Sequence, residues 1–342
     1  MKVAIVGASG YVGAELVGLI NQHSKLSLVD LVVSQNSDSA GKLFSDLHKK
    51  FRQVCDKPLQ AFSQEWITSL VGRVDAVFLA TPHEFSVQWA KEFLSIGIKV
   101  FDLSGGFRLK DDKAYPKYYG FAHEDLEHLA SAQYGLAEWY ESEIKSANLI
   151  AVPGCYPTAS LTALKPITQQ SLHVPGSLIS VTGISGVSGA GRKASLATSY
   201  NEVSLTPYNV LKHRHQPEIS QEANASVVFT PHLAPYKRGL LSTVTVQLKD
   251  EVTLSQVQAA YLNAYEGKTA VRVLSEPPKI DDVANTPFAD VYFEYDEESH
   301  VLVACCAIDN LLKGAASQAI QCANLSMGLA STFDLIQGVT DE

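Results

Sequence analysis

The sequence has little of what marks secreted, membrane or nucleic-acid-binding proteins. Its first residues, MKVAIVGASG, lack the basic start, apolar helix and cleavage site of a signal peptide. No apolar run approaches the roughly 18 uninterrupted residues of a membrane span. The formal net charge is −9 and the basic runs, at 48–50 and 213–215, are short, which argues against binding to phosphate backbones. We therefore expect a cytoplasmic protein with neither a membrane nor a nucleic acid as partner.

Cysteine is also sparse. The chain has five, an odd number, without the paired short spacings of a structural zinc site, so we expect no metal. An odd, scattered set fits reduced thiols in the cytosol better than a disulfide framework. The five are Cys55, Cys155, Cys305, Cys306 and Cys322. One of these thiols is a candidate for chemistry.

The chain does contain enough apolar sequence for two folded domains. Of its 342 residues, 46% are hydrophobic and 18% are charged, and this length exceeds the size at which single cores usually stop growing. Through the first 150 residues, apolar runs alternate with segments of helical spacing, which predicts an α/β Rossmann fold with a doubly wound parallel sheet. The predicted strands are 2–6, 28–33, 75–80 and 98–103, and the predicted helices are 15–21 and 86–95.

The second half has a different texture. Longer β-rich runs predict an α+β domain with a mixed, mostly antiparallel sheet. These runs are 178–184, 242–248, 291–295 and 301–308. Residues 311–327 are rich in helix formers and predict one long helix.

A glycine-rich turn directly after the first predicted strand indicates a dinucleotide site. Glycines keep such a turn tight and let backbone N–H groups approach a pyrophosphate, which the N-terminus of the next helix favours. The spacing is G-x-x-G-x-x-G, and its position between a predicted strand and a helix is what makes it indicate dinucleotide binding. The residues expected to hold the cofactor in this turn are Gly7, Ser9, Gly10, Tyr11, Val12 and Gly13.

The end of the second predicted strand indicates which dinucleotide binds. NAD-binding units carry an acidic residue about 20 residues beyond the glycines, where it holds the ribose 2′-OH. This chain has Ser34 there, and Asp30 falls inside the strand. Since an uncharged Ser34 can hydrogen-bond a 2′-phosphate, we predict NADP(H), with Lys42 as a weaker candidate for neutralising its charge.

The loop after the predicted strand 75–80 is a second candidate for the cofactor site, because ligands bind at the carboxyl edge of open α/β sheets. Thr81 and Pro82 are expected to line it. His83 follows them, and a lone histidine in such a place is more often an ordinary loop residue than a catalyst.

Cys155 is the most promising thiol. It lies between Gly154 and Tyr156, just ahead of the helical stretch 159–165. The dipole at a helix N-terminus favours the thiolate, the nucleophilic form of cysteine. From these residues alone, a buried structural cysteine is about as well supported.

Nine ordered segments then span nearly the whole chain: GASGYVG, ATPHEFS, DLSGGFR, YGLAEWY, VPGCYPT, SGVSGAGR, HRHQPEI, FTPHLAPYKRGLLST and DNLLKGAASQAIQ. In this order they resemble the N-acetyl-γ-glutamyl-phosphate reductases of arginine biosynthesis and, more distantly, aspartate-semialdehyde and glyceraldehyde-3-phosphate dehydrogenases. The resemblance implies an NADP-binding domain of residues 1–150 and 311–342, to which the C-terminal helix returns, and a catalytic and oligomerisation domain of residues 151–310. The apolar, β-rich second half favours a homodimer or homotetramer.

The resemblance also implies a reaction and residue roles. An acyl phosphate is reduced with NADPH to an aldehyde and inorganic phosphate through a thioester on Cys155, with His213 as the base, His215 as the alternative base, and Glu218 as an orienting carboxylate. The positions near the nicotinamide are Ser185, Gly186 and Asn310. The candidates for gripping the substrate carboxylate or phosphate are Arg108, Arg192, Lys237 and Arg238.

Alternative functions stay open on the sequence. A reductase of an aminoadipyl or aspartyl phosphate would use the same chemistry, because one methylene changes binding by only about 1–3 kcal/mol. A short-chain dehydrogenase would use a Tyr-x-x-x-Lys pair, which Tyr208 and Lys212 match, although in the β-rich half. A dinucleotide-sensing regulator would need no reactive thiol. Gly106 departs from the family, which usually has an Asp there, so a carboxylate role at that point stays in doubt.

Overall fold

The chain forms two compact units. The structure, a computed structural model, describes residues 1–336. One unit consists of Met1–Pro153 with the chain from Ala315 onward, and the other of Gly154–Gly314. Of the predicted segment 311–342, residues 337–342 lie outside the described residues.

The first unit is built on a parallel sheet. Its strands are β1 (Lys2–Val6), β2 (Ser27–Val33), β3 (Leu59–Ala61), β4 (Ala76–Leu79), β5 (Lys99–Asp102), β6 (Gln133–Tyr134) and β7 (Leu149–Ala151). They pair in the order β3-β2-β1-β4-β5-β7-β6, and all pairs are parallel. This confirms the predicted doubly wound Rossmann class. The strand order reverses between β1 and β4, which is the point of such sheets where ligands bind.

Helices connect these strands. They are α1 (Tyr11–Gln22), α2 (Phe44–Leu47), α3 (Gln64–Ser69), α4 (His83–Ser95), α5 (Ala114–Tyr118), α6 (Leu126–Ser131), α7 (Glu141–Ser146) and, near the C-terminus, α12 (Ser317–Ser326). Every residue of β4 is buried, as expected for a strand of a parallel sheet that is covered on both faces. Helix α1 begins at Tyr11, earlier than the predicted 15, so the last three residues of the glycine motif already lie in the helix.

The second unit contains a mixed sheet. Its strands are β8 (Ile179–Gly186), β9 (Thr206–Pro207), β10 (Val227–Ala234), β11 (Leu240–Gln247), β12 (Val271–Val273), β13 (Ala289–Asp296) and β14 (Val301–Ile308). Its helices are α8 (Cys155–Gln169), α9 (His215–Ala223), α10 (Leu254–Tyr265) and α11 (Ile280–Val283). The strand order is β12-β13-β14-β11-β8-β10-β9, and only the β8–β10 and β12–β13 pairs are parallel. The predicted mixed, mostly antiparallel sheet is confirmed.

Helix α8 is the buried centre of this unit and continues past a proline that would normally end it. Pro166 has no N–H, so the carbonyl of Thr162 loses its helical donor. Two tyrosines of α10 supply replacements: Tyr265 Oη donates to the Thr162 carbonyl at 2.6 Å, and Tyr261 Oη donates to the next carbonyl at 2.6 Å. The predicted helix ended at residue 165, whereas α8 continues to Gln169.

The prediction of one long helix over 311–327 is wrong at its start. Residues Leu312–Ala316 form a π-helical turn, and the α-helix begins only at Ser317. The Gly314 N–H donates to the Asp309 carbonyl at 2.9 Å, a bond that spans five residues rather than four. Asp309 Oδ1 also accepts the N–H groups of Leu311 and Leu312. These bonds to Asp309 hold the wider turn.

None of the helices within residues 1–336 has both the length and the apolar character needed to cross a membrane.

We expect Tyr265→Phe to lower the free energy of unfolding by about 1–3 kcal/mol, because it leaves the Thr162 carbonyl without its replacement donor inside the core. Urea denaturation followed by tryptophan fluorescence and circular dichroism would measure the change. Tyr200→Phe is the matched control, since the Tyr200 side chain is 95% exposed and its change should lie within about 0.5 kcal/mol. Equal stability of the two variants would contradict the role of the Tyr265 hydroxyl.

Candidate active site

The glycine turn after β1 has the geometry of a dinucleotide cradle. Gly7 has a φ of +90°, and a Cβ on it would lie 2.1 Å from the Ala80 carbonyl oxygen. A Cβ on Gly13 would lie 2.6 Å from the Gly7 carbonyl oxygen, so both positions require glycine. No side chain caps the start of α1 at Gly10. The first N–H groups of α1 are therefore suited to bind a pyrophosphate.

Asp30 cannot take the place of the missing acidic residue at the end of β2. It is 5% exposed and accepts hydrogen bonds from Trp66 Nε1 and Gln60 Nε2, both at 3.0 Å. Ser34 follows β2 directly and is exposed, as is Lys42. The surroundings of a 2′-phosphate would thus be polar and free of carboxylates from β2, which fits NADP(H).

Hydroxyl groups connect the loop after β4 to a buried carboxylate. Thr81 Oγ1 lies 2.9 Å from Ser86 Oγ, which donates to Asp102 Oδ1 at 2.7 Å, and Ser104 Oγ donates to Asp102 Oδ2 at 2.9 Å. Burial raises the pKa of Asp102, against the effect of these donors. His83 Nδ1 accepts the Gly105 N–H at 2.7 Å, so this ring holds the loop after β5.

Gly106, where the sequence resemblance led us to expect an aspartate, lies in tight surroundings. Its N–H donates to Ser104 Oγ at 3.0 Å, and its carbonyl lies 2.8 Å from His123 Nε2. A Cβ at this position would lie 3.2 Å from the His83 carbonyl oxygen. An aspartate here would therefore need its neighbours to move by a few tenths of an ångström.

In the second unit, Cys155 is the first residue of α8. The predicted helix began at 159, so the thiol is one turn closer to the helix than expected, in the position where the dipole favours the thiolate most. The side chain is half-buried. Gly314 packs against it, because a Cβ on Gly314 would lie 2.7 Å from the Cys155 Cβ. The π-helical turn thus shapes one wall around the thiol.

Glu218 holds the turn that precedes the thiol. It is fully buried in α9, and its Oε1 accepts the Gly154 N–H at 2.9 Å. The structure thus gives this carboxylate a bond to the backbone just before Cys155, and its expected role in orienting a histidine stays a prediction. At a second point of the same helix pair, Lys165 Nζ donates to the Glu222 carbonyl at 2.9 Å. These bonds fix α9 against α8.

His213 and His215 are both buried, with ring centroids 4.7 Å apart. The His215 N–H donates to His213 Nδ1 at 3.1 Å, so the proton of a neutral His213 ring must be on Nε2. Burial, helped by the charge of Arg214, lowers the pKa of His213 from 6.5 to about 4. At neutral pH, His213 is therefore an uncharged hydrogen-bond donor through Nε2.

The three predicted nicotinamide residues of this unit meet at one end of its sheet. Asn310 Oδ1 accepts the Gly239 N–H at 2.7 Å, and Gly186 N–H donates to the Gly239 carbonyl at 3.0 Å. Ser185 precedes Gly186 at the end of β8 and is buried. A Cβ on Gly186 would lie 2.7 Å from the Tyr236 carbonyl oxygen. Close backbone packing therefore brings them together.

The four predicted substrate cations fall into two groups. Arg108 is buried, and its Nε and Nη2 donate to the carbonyls of Val152 and Leu103 at 2.8 and 2.9 Å. Arg238 donates to the buried carboxylate of Asp309. Both arginines thus hold backbone or carboxylate groups of their own unit. Arg192 and Lys237 are exposed.

Comparison with known proteins decides the family. A family model described as the NAD binding domain of semialdehyde dehydrogenases matches residues 2–147, and one described as their dimerisation domain matches residues 155–310. An N-acetyl-gamma-glutamyl-phosphate reductase from Aeromonas hydrophila is 50% identical over 98% of this chain and 100% of its own length. The protein of that name from Escherichia coli K12 is 49% identical over 98% and 100%. The chain belongs to the N-acetyl-γ-glutamyl-phosphate reductase family.

Solved structures support the fold of this family member. Aspartate semialdehyde dehydrogenase II from Vibrio cholerae aligns over 96% of this chain and 98% of its own, with a TM-score of 0.70 and 20% identity. The Candida albicans aspartate semialdehyde dehydrogenase solved with NADP aligns over 97% and 99%, with a TM-score of 0.66 and 16% identity. The family membership makes the chain an oxidoreductase that uses NADP(H), and neither a short-chain dehydrogenase nor a regulator without activity fits it.

Sequence reasoning missed two residues of this reductase-family site. Tyr156 contacts both histidine rings, at centroid distances of 5.8 and 5.9 Å. Arg214 acts electrostatically on His213. Their places in the sequence could have indicated them, since Tyr156 follows Cys155 directly and Arg214 lies between the two histidines.

We expect the His213 imidazole to stay neutral between pH 7 and 5 with its proton on Nε2, which nitrogen-15 NMR would detect. A lowered pKa means that its contribution to stability is complete above pH 6.5 and is lost as the pH falls toward about 4. Arg214→Gln should raise the pKa of His213 because it removes a nearby cation, whereas Lys212→Gln, which removes a cation that does not contribute to the shift, should not. Titration of His213 at its ordinary pKa in the unmodified protein would contradict this.

Proposed function

We propose that this chain reduces N-acetyl-γ-glutamyl phosphate with NADPH to N-acetylglutamate 5-semialdehyde and inorganic phosphate, a step of arginine biosynthesis. The observation that carries the proposal is a half-buried thiol at the first residue of α8, with two buried histidines on the adjoining helix and its preceding loop. Relatives that are about half identical over the full chain bear the name of this activity.

Cys155 performs the first half of the reaction. Its thiolate attacks the acyl carbon, a C–S bond forms, and the C–O bond to phosphate breaks, with the electron pair leaving on phosphate. The acyl group is retained on the enzyme as a thioester, so it is no longer an acyl phosphate that water can hydrolyse. We assign the removal of the thiol proton to His215, because the Nδ1 of His213 is already occupied by a backbone N–H. Arg192 and Lys237 are the exposed cations suited to the leaving phosphate.

The second half makes use of the neutral state of His213. NADPH, when bound by the glycine turn, supplies a hydride to the thioester carbonyl. The oxygen of that carbonyl then becomes an oxyanion, and a neutral Nε2–H donor stabilises such a charge without having to lose its own proton. Collapse of this oxyanion breaks the C–S bond, releases the aldehyde and returns the Cys155 thiolate. Gly154, held by Glu218, keeps the thiol in place through both halves.

We also propose that the enzyme is a cytoplasmic homodimer that pairs through the second sheet. Along β11 and β14, residues alternate between a buried set facing α8 and a half-exposed set on the other face, which includes Leu241, Thr243 and Val303. A family model for a dimerisation domain matches this unit. An apolar sheet face of this kind is a common place for subunit contact.

Val303→Glu should therefore lower the mass measured by light scattering to that of a monomer, because it introduces a charge into the half-exposed face. Leu262→Glu, which alters an exposed residue of α10, is the matched control and should leave the mass unchanged. If the unmodified protein is a tetramer and Val303→Glu splits it into dimers, this face forms one of two types of subunit contact. A monomeric unmodified protein would contradict the dimer.

Cys155→Ser should reduce the rate of acyl-phosphate reduction by at least about 10³-fold, because serine is a poorer nucleophile and leaving group. The assay is phosphate-dependent NADP⁺ reduction with N-acetylglutamate 5-semialdehyde, compared with the aspartyl and aminoadipyl semialdehydes. Iodoacetamide should inactivate the enzyme by labelling Cys155, and substrate should protect it. Cys55→Ser, at a buried thiol, is the control. A near-normal rate in Cys155→Ser, or labelling confined to Cys55 or Cys322, would refute the thioester.

A further inference from the structure

The Tyr156 side chain contacts both histidines of the candidate site. Its side chain is buried, and its ring meets those of His213 and His215 edge-on, at interplanar angles of 87° and 62°. The ring also meets Phe229 at a centroid distance of 5.1 Å. Its hydroxyl donates to the His232 carbonyl at 2.8 Å.

Glycine at position 183 makes room for this ring. A Cβ on Gly183 would lie 2.5 Å from Cδ1 and 2.6 Å from Cε1 of Tyr156, and 3.1 Å from a ring carbon of Phe229. Gly183 is the fifth residue of β8, where a glycine otherwise weakens a strand. Its φ is not in the left-handed region, so the close approach of the Tyr156 ring, and not backbone conformation, accounts for glycine here.

We propose that Tyr156 is a positioning residue of the reaction, whose ring, backed by Gly183, sets the positions of His213 and His215 relative to Cys155. The proposal rests on the function proposed above. Tyr156 follows Cys155 in the first turn of α8, so the nucleophile and the ring move together with the helix. The histidines belong to α9 and the loop before it, and they contact this ring directly. The Tyr156 side chain thus links the position of the thiol to the positions of the two imidazoles.

The experiment uses the rate of Cys155 alkylation by iodoacetamide as a function of pH, which needs no substrate, together with kcat and KM. The other titratable groups around His213 are Tyr208, whose ring lies 5.4 Å away, and Arg214, and both stay unchanged in every variant. Tyr156→Phe keeps the ring and should stay within about threefold of the unmodified enzyme. Tyr156→Leu should lower kcat by about 10²-fold with little change in KM, and it should move the midpoint of the alkylation profile.

Gly183→Ala provides an independent variant, because its methyl group would push the ring toward the histidines. It should move the alkylation midpoint and lower kcat, as Tyr156→Leu does. In the double variant Tyr156→Leu/Gly183→Ala, no tyrosine ring is left to clash with the alanine methyl group. Gly183→Ala should then change kcat and the alkylation midpoint no further than Tyr156→Leu does alone. Where Tyr156→Leu is poorly folded the cycle is not available, and Gly183→Ala compared with Tyr156→Phe then tests the proposal without it.

The proposal is overturned if folded Tyr156→Leu or Gly183→Ala keeps the alkylation midpoint and the kcat of the unmodified enzyme. It is also overturned if the two effects are additive. Failure of the proposed function gives a different result, namely an unmodified protein that is alkylated at Cys155 but shows no phosphate-dependent NADP⁺ reduction with any of the three semialdehydes. In that case the alkylation midpoints still test the role of Tyr156.

Discussion

The hydrogen bond from the Gly154 N–H to the buried carboxylate of Glu218 joins the two helices on which the proposed chemistry depends. It fixes the backbone just before Cys155 to α9, whose first residue is His215. Lys165 binds the same helix through the Glu222 carbonyl. Because α8 is held at two points, the thiol and the imidazoles would keep a fixed relation through the proposed attachment and release of an acyl group. Burial is what makes these bonds strong, since water does not compete with them.

Eight of the fourteen strands that the structure describes were predictable, because their apolar residues form distinct runs in the sequence, whereas the short strands β3, β6, β7, β9 and β12 and the longer β10 were not predicted. The predicted bounds 2–6 and 301–308 are those of β1 and β14. The end of α8 and the π-helical turn were not predictable, because each depends on partners far along the chain or on a local bond of unusual span. A proline usually stops a helix, and only the folded α10 supplies the hydroxyl groups that let α8 pass Pro166.

The candidate site shows the same division. That Cys155 and the two histidines belong to one site was expected only from the resemblance of the ordered segments, since 58 positions separate Cys155 from His213. The partners of charged side chains do not follow from the sequence. Arg238 is bound to Asp309, which lies 71 positions away, and Arg108 is occupied by backbone carbonyls. Glu218 binds a peptide N–H, a partner that the sequence did not indicate. A charge in a sequence indicates what a residue can bind, whereas the fold determines what it does bind.

The commitment of Asp30 to Trp66 and Gln60 has a consequence for protein engineering. A designer who wished to exchange the phosphorylated cofactor for its cheaper unphosphorylated form would look for an existing acidic residue at the end of β2. Asp30 is not available for that purpose, because turning its carboxylate outward would leave a buried indole N–H without an acceptor. The new acidic group would have to be added at Ser34, outside the core, where a change of charge leaves the sheet beneath it intact.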